Sequence, residues 1–344
     1  MSATFVDNNN VPDNAIKSWN VSEDKENGGV MAWVVPSSSD NTKYDLYIGA
    51  RGGVLANEYS GYLFYNFQNI KIINFENFDT RNATNMRAMF SECHNLINLD
   101  LREFNTSNVT EMTYMFNNCK NLTVLDVSKF NTSNVTSMGS MFQGCEKIIN
   151  LDVRNFNTSN VTNMQSMFYA CRTLTTLDLS NFDTRKVTDM SFMFDMWDLE
   201  NAQMGTSSLV TIIFGEKFDT SKVTTMESMF LGCSKLANLD VSGFNTSNVT
   251  NMRTVFSQCA SLTEIDVSNW STSKVTTMED MFMSTNFTTL DLSSFDTRNV
   301  TNMIQMFRNT PQLKTIYVGA NWTTTNADTT NMFYASATSS VTRK

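Results

Sequence analysis

Residues 104–129 read FNTSNVTEMTYMFNNCKNLTVLDVSK, residues 130–155 read FNTSNVTSMGSMFQGCEKIINLDVRN, and residues 156–181 read FNTSNVTNMQSMFYACRTLTTLDLSN. The three segments are in register at a period of 26. A fixed period in this range marks a chain built from stacked structural repeats, each of which buries its apolar side only against its neighbours. Working outward, full units begin at Phe78, Phe104, Phe130, Phe156, Phe182, Phe218, Phe244, Trp270 and Phe295, nine in all. A degenerate unit follows from Trp322 and keeps Met332 and Phe333 of the pattern, as a terminal capping repeat does.

Each unit divides into two halves. In LTTLDLSNF (174–182), Leu177, Asp178, Leu179 and Ser180 alternate between apolar and polar, the period of a strand with one buried face. In TSNVTNMQSMF, Val161, Met164, Met167 and Phe168 fall three, three and one residues apart. That spacing predicts one face of a short helix, with Thr158 or Ser159 capping its N-terminus. The expected fold class is therefore an α/β solenoid with one parallel strand and one short helix per 26-residue repeat.

The unit pattern F[ND]TSxVTxMxxMFxxCxxLxxLD[LV]S has a strand half that matches a leucine-rich repeat. As a whole it resembles the bacterial surface-protein repeat family described as BspA-like, over about residues 63 to 335. The resemblance implies a leucine-rich-repeat-type solenoid on a microbial surface or in a secreted protein, used for adhesion or ligand binding. It implies no catalytic residues.

Residues 1–62 do not repeat, and two short apolar runs at 30–35 and 44–48, separated by a Ser/Asp/Asn turn cluster, predict a small β N-terminal cap. The expected organisation is this cap, a repeat solenoid over 63–321, and a C-terminal capping repeat and tail over 322–344. The unit from Phe182 is longer than the others because of an insert, DMWDLENAQMGTSS at 195–208, in which Trp197 stands where six of the units place cysteine and two place Thr285 and Thr310. Insertions in repeat arrays map to loops, often on the binding side.

Composition restricts the function. A net charge of −9 opposes binding to phosphate backbones and anionic lipid, which excludes nucleic acid as a partner class. No apolar run approaches the roughly 18 residues of a membrane helix, so no membrane insertion is expected. The start MSATFVDNNN carries neither a basic region nor an apolar core of the secretory kind.

Several columns could carry chemistry. Cys93, Cys119, Cys145, Cys171, Cys233 and Cys259 occupy one repeat position and are expected as buried free thiols, since equivalent residues on adjacent rungs have poor geometry for bridging. The single histidine, His94, leaves no Cys/His zinc spacing and no Ser/His/Asp arrangement. The methionine columns belong to the core.

The column that demands an explanation is Asp100, Asp126, Asp152, Asp178, Asp240, Asp266 and Asp291, which faces outward from the strands. Like charges on rungs ~5 Å apart repel each other. Two readings stand open. One is hydrogen bonding to Ser128, Ser180 and Ser242 or to backbone, with carboxyl pKa values raised by crowding. The other is a cation, with Asp100, Asp126, Asp152 and Asp178 as a candidate calcium site, or a basic partner surface along the ladder.

The functional expectation is a non-enzymatic adhesion or ligand-binding protein, extracellular or at a cell surface, and monomeric. No cofactor other than calcium is called for. Its partner would be a host or bacterial surface protein or glycan. The expected contact surface is the strand face at Asp126, Asp152 and Asp178 with the adjoining Trp197, Met196 and Met204 of the insert. A virion or phage-tail receptor-binding adhesin is the alternative.

Overall fold

A computed structural model describes residues 1–22, 29–38, 40–197 and 207–344. Among these residues there is no α-helix. The chain is mostly irregular backbone and turns carrying short strands in small sheets, so the α/β solenoid with a helix per repeat is not what this sequence builds.

The reason lies in where the backbone N–H groups go. In the unit from Phe104, the N–H groups of Met112, Tyr114, Phe116 and Asn118 donate to the carbonyls of Ser137, Gly139, Met141 and Gln143 in the next unit, at 2.7–3.2 Å. The intervening N–H groups of Met115, Asn117 and Cys119 close turns onto the carbonyls three residues back. A helix would spend all of these donors on its own carbonyls four residues back. Here half of them cross to the neighbouring rung instead.

Tyr114 and Asn118 have φ of +61° and +55°, in the third position of their turns, as type II turns require. The same two positions are left-handed in most units, for example at Ala88 and Glu92 or at Thr254 and Gln258. A segment of this length gains little as a helix because nucleation is costly, whereas the rung beneath presents ready acceptors. Both arrangements point Met112, Met115 and Phe116 inward, which is why apolar spacing alone does not separate them.

The strand half is equally short. Strand β1 (Ser2–Val6), β2 (Lys17–Asn20), β3 (Val30–Ser37) and β4 (Asp40–Ala50) join β6 (Ile72–Asn74) in a mixed sheet of order β2-β3-β4-β1-β6. Between them in sequence lies β5 (Val54–Leu55), which pairs in parallel with β7 (Phe78–Asp79). Farther on, β8 (Asn98–Leu99) pairs with β9 (Val124–Leu125), and β10 (Thr176–Leu179) with β11 (Thr211–Phe214). Last, β12 (Thr289–Leu292) pairs with β13 (Thr315–Val318), which takes β14 (Thr342–Arg343) on its other edge. Strand β1 lies parallel to β6 with Ala3 opposite Ile73, so the first repeat strand is not left with a bare edge.

The units stack in register. Single parallel bridges link Tyr59 to Asn85, Asn85 to Glu111, Glu111 to Ser137, and so on to Asp328. One continuous core runs from Ala3 to Met332. Its spine is a column of phenyl rings from Phe64 through Phe90, Phe116 and Phe142 to Phe333, with neighbouring centroids 5.4–6.0 Å apart. Across the long unit the spacing from Phe194 to Phe230 is 5.4 Å, so the insert leaves the spine unbroken. Burying each ring is worth about 2–3 kcal/mol, and offset stacking adds about 0.5–1.5.

The FNTSNVT segment, read as a helix cap, is a set of rung-to-rung ties. Thr106, Thr132 and Thr158 are buried, and each hydroxyl donates to the carbonyl of the residue after phenylalanine in the following unit. Each also accepts that residue's N–H, at 2.8 Å. Asn134 and Asn160 reach back to carbonyls of the preceding unit, at 2.8 and 2.9 Å. These polar side chains replace the ladder hydrogen bonds that a longer strand would supply.

Candidate functional site

The aspartate ladder is exposed and each carboxylate is already occupied by its own loop. Oδ1 of Asp126 accepts the N–H of Ser128 at 2.9 Å, and Asp178 and Asp240 accept those of Ser180 and Ser242 at 3.0 Å. Arg102 grips Asp100 through two hydrogen bonds of 2.9 and 2.6 Å, and Arg154 grips Asp152 at 2.9 and 2.7 Å. At the end of the stack, Lys344 lies 2.5 Å from Asp291 and over the ring of Tyr317.

These contacts reverse the expectation of raised pKa values. Hydrogen bonds from Arg102, Ser128 and Ser180 hold Asp100, Asp126 and Asp178 below the usual carboxylate range. Arg154 takes Asp152 down to about 2. The local donors outweigh the repulsion between rungs. No group of three or more His, Cys, Asp or Glu side chains suited to a metal ion exists among the described residues, so Asp100, Asp126, Asp152 and Asp178 do not gather into a calcium shell.

The cysteine column is buried and free. The thiols of Cys119, Cys145 and Cys171 donate to the carbonyls of Phe90, Phe116 and Phe142 on the preceding rung, at 3.1–3.2 Å. Burial pushes Cys93, Cys171 and Cys259 up to about 12. Buried thiols held protonated in this way are poor nucleophiles. His94 lies 2.7 Å from the Glu92 carboxylate.

Trp197, expected beside Asp126, Asp152 and Asp178, is half-buried. It lines a hollow of about 570 Å³ on the turn side of the stack. Six successive units contribute to this hollow, from Tyr114 in the unit of Phe104 to Arg253 in the unit of Phe244. Met196, counted with Trp197 in the expected contact surface, is buried in the core instead. Met204 and the stretch 198–206 lie outside the described residues.

The turns explain how the hollow forms. One left-handed column lines it, with Tyr114, Ser140, Ser166, Phe192, Ser228 and Thr254 in turn; Tyr114 is exposed, Ser166 and Phe192 are half-buried, and Ser140, Ser228 and Thr254 are buried. The two serines between Tyr114 and Phe192 leave a depression over two rungs. Tyr169 and Trp197 rise beside it, and Gln143 and Gln165 border it with amides.

Asp195 is buried beneath, with Oδ1 accepting the N–H of Trp197 at 2.7 Å. Burial raises its carboxyl to about 7, against the pull of that N–H and of the Arg172 charge. Arg172 itself donates to the Trp197 carbonyl at 3.3 Å and pairs with Glu146 at 3.1 Å. The insert is thereby anchored at its first residues to two other units.

Sequence reasoning overlooked Tyr114, Tyr169, Phe192 and Asp195 because they occupy positions that vary from unit to unit. A signal was present. The position before cysteine holds Asn118, Gly144 and Gly232, residues that favour left-handed backbone. Their recurrence argues for turns.

The family described as "Mycoplasma protein of unknown function, DUF285" matches residues 60–172, 118–209, 197–322 and 244–342, overlapping segments that together span 60–342. No curated protein and no solved structure matches the chain.

Proposed function

Because the chain belongs to the Mycoplasma protein family of unknown function DUF285, whose description names no activity, we propose its role from the surface it presents: a non-enzymatic binding protein used for adhesion. The observation that carries this reading is the hollow around Trp197, where side chains from six units converge on one concavity. Its volume falls in the usual range for ligand sites, roughly 300–1,000 Å³. Aromatic residues at its rim are the kind that dominate recognition energetics.

The columns offer little for catalysis. The cysteines are buried and held protonated, and the ladder carboxylates are exposed and held ionised. Resemblance of the repeat to the BspA-like surface-protein repeat supports the finer proposal of a cell-surface or secreted location, with a host or bacterial surface molecule as partner.

The test is binding of the purified, labelled chain to intact host cells, alongside incubation with labelled glycans and peptides. Saturable cell binding that Trp197→Ala weakens, with every glycan and peptide recovered intact, is the expected result. Turnover of any of them would overturn the reading.

A further inference from the structure

We propose that the hollow between Tyr114 and Phe192 is a saccharide-binding site, taking a short neutral oligosaccharide laid across the rungs over Ser140 and Ser166. This rests on the binding-protein reading above and names its ligand class. Tyr114 and Phe192 are three units apart, on the order of 14 Å at the spacing of hydrogen-bonded strands, with only serine side chains between them in that column. The result is a floor of hydroxyls between aromatic walls.

A sugar ring presents C–H groups on its faces and hydroxyls around its edge. It needs apolar platforms and, beside them, groups that both donate and accept. Tyr and Trp rings supply the first and keep a polar handle. Side-chain amides and hydroxyls supply the second, and Gln143, Gln165, Ser140 and Ser166 are of this kind.

Other ligand classes fit less well. An extended peptide would need a free backbone edge, but the N–H groups of Ser140, Phe142 and Gly144 are spent on the next rung, as are those of Ser166, Phe168 and Ala170. An anion would need an uncommitted cation, but Arg253 at the rim is paired with Glu227 at 3.2 Å and Glu279 at 3.3 Å. The carboxyl of Asp195 lies in the lining as well. A lipid or other wholly apolar ligand would meet a lining in which Leu231 is the one aliphatic side chain. What remains is a neutral molecule rich in hydroxyls.

The repeat supplies substitutions that keep the fold. Serine occupies this left-handed position at residues 140, 166 and 228, so Tyr114→Ser and Phe192→Ser install a residue that the column already accepts. The full chain is titrated against a panel of immobilised neutral gluco-, galacto-, manno- and N-acetylhexosamine oligosaccharides. Binding to at least one series is expected. Each variant should weaken it about threefold to tenfold, and the pair at least tenfold. Tyr334→Ser, on the turn side of the last rung, should leave it unchanged.

Failure to bind every oligosaccharide, or binding indifferent to the double variant, would overturn the proposal. The same preparation is applied to host cells before and after periodate cleavage of their surface sugars. Cell binding that survives periodate overturns the saccharide assignment while leaving the binding-protein reading standing. Absence of cell binding with either treatment sinks the binding-protein reading itself.

Discussion

The hydroxyl of Thr106 donates to the carbonyl of Asn131 at 3.0 Å and accepts the N–H of the same residue at 2.8 Å. One buried side chain thus satisfies both backbone groups of a residue in the next rung. Thr106→Val keeps the shape and removes both bonds, leaving the N–H and carbonyl of Asn131 without their partner. We expect a loss of about 2 kcal/mol in chemical denaturation, whereas Thr106→Ser, which keeps the hydroxyl, should cost less than about 1. Equal losses for the two would show that only the methyl matters.

Gly144 distinguishes turns from helices by sign. In a helix, Gly→Ala stabilises by about 1 kcal/mol. Here Gly144 has φ of +70°, and an added Cβ would run into the side chain of Asn118. Gly144→Ala should therefore destabilise by about 1–2 kcal/mol, read from the midpoint of urea unfolding. A stabilised variant would restore the helical unit.

Asp195 sets a pH dependence. Its carboxyl rises from 3.8 to about 7 on folding, so the folded chain holds this proton more tightly than the unfolded one. That contribution to stability is complete below about pH 4 and is lost as pH rises through 7. The facing groups are the Trp197 N–H, the Arg172 guanidinium and the buried Cys233 thiol. Asp195→Asn retains an acceptor for Trp197 without the charge. It should flatten stability across this window and exceed the natural chain at pH 8 by up to about 4 kcal/mol. A variant as pH-dependent as the natural chain would place the titration elsewhere.

The aspartate ladder should be indifferent to calcium. Each carboxylate already has donors two residues on, and Arg102 and Arg154 neutralise Asp100 and Asp152. Thermal unfolding with millimolar calcium and with chelator should superimpose. A calcium-dependent rise in the midpoint that disappears in the Asp126→Asn, Asp152→Asn double variant would return the ladder to the status of a metal site.

The sequence by itself determined the unit, its length and its inward-facing residues. Phe, Met, Val, Cys and Leu recur at constant spacing because each rung buries its apolar side against the next, and such columns are legible without coordinates. The buried free thiols followed from the same columns.

Only the tertiary structure decided what the backbone does between those residues. Met112, Met115 and Phe116 point inward from a helical turn and from linked β-turns alike, and the choice rests on whether an N–H finds its acceptor within the unit or in the neighbouring one. That acceptor lies 25 residues away for Met112 and Ser137, beyond the reach of local pattern. The hollow is of the same kind. Tyr114, Ser166, Phe192 and Asp195 belong to three different units and are ordinary variable positions until stacking lays the units side by side. The backbone hydrogen bonds between rungs set that stacking, and with it which exposed residues become neighbours.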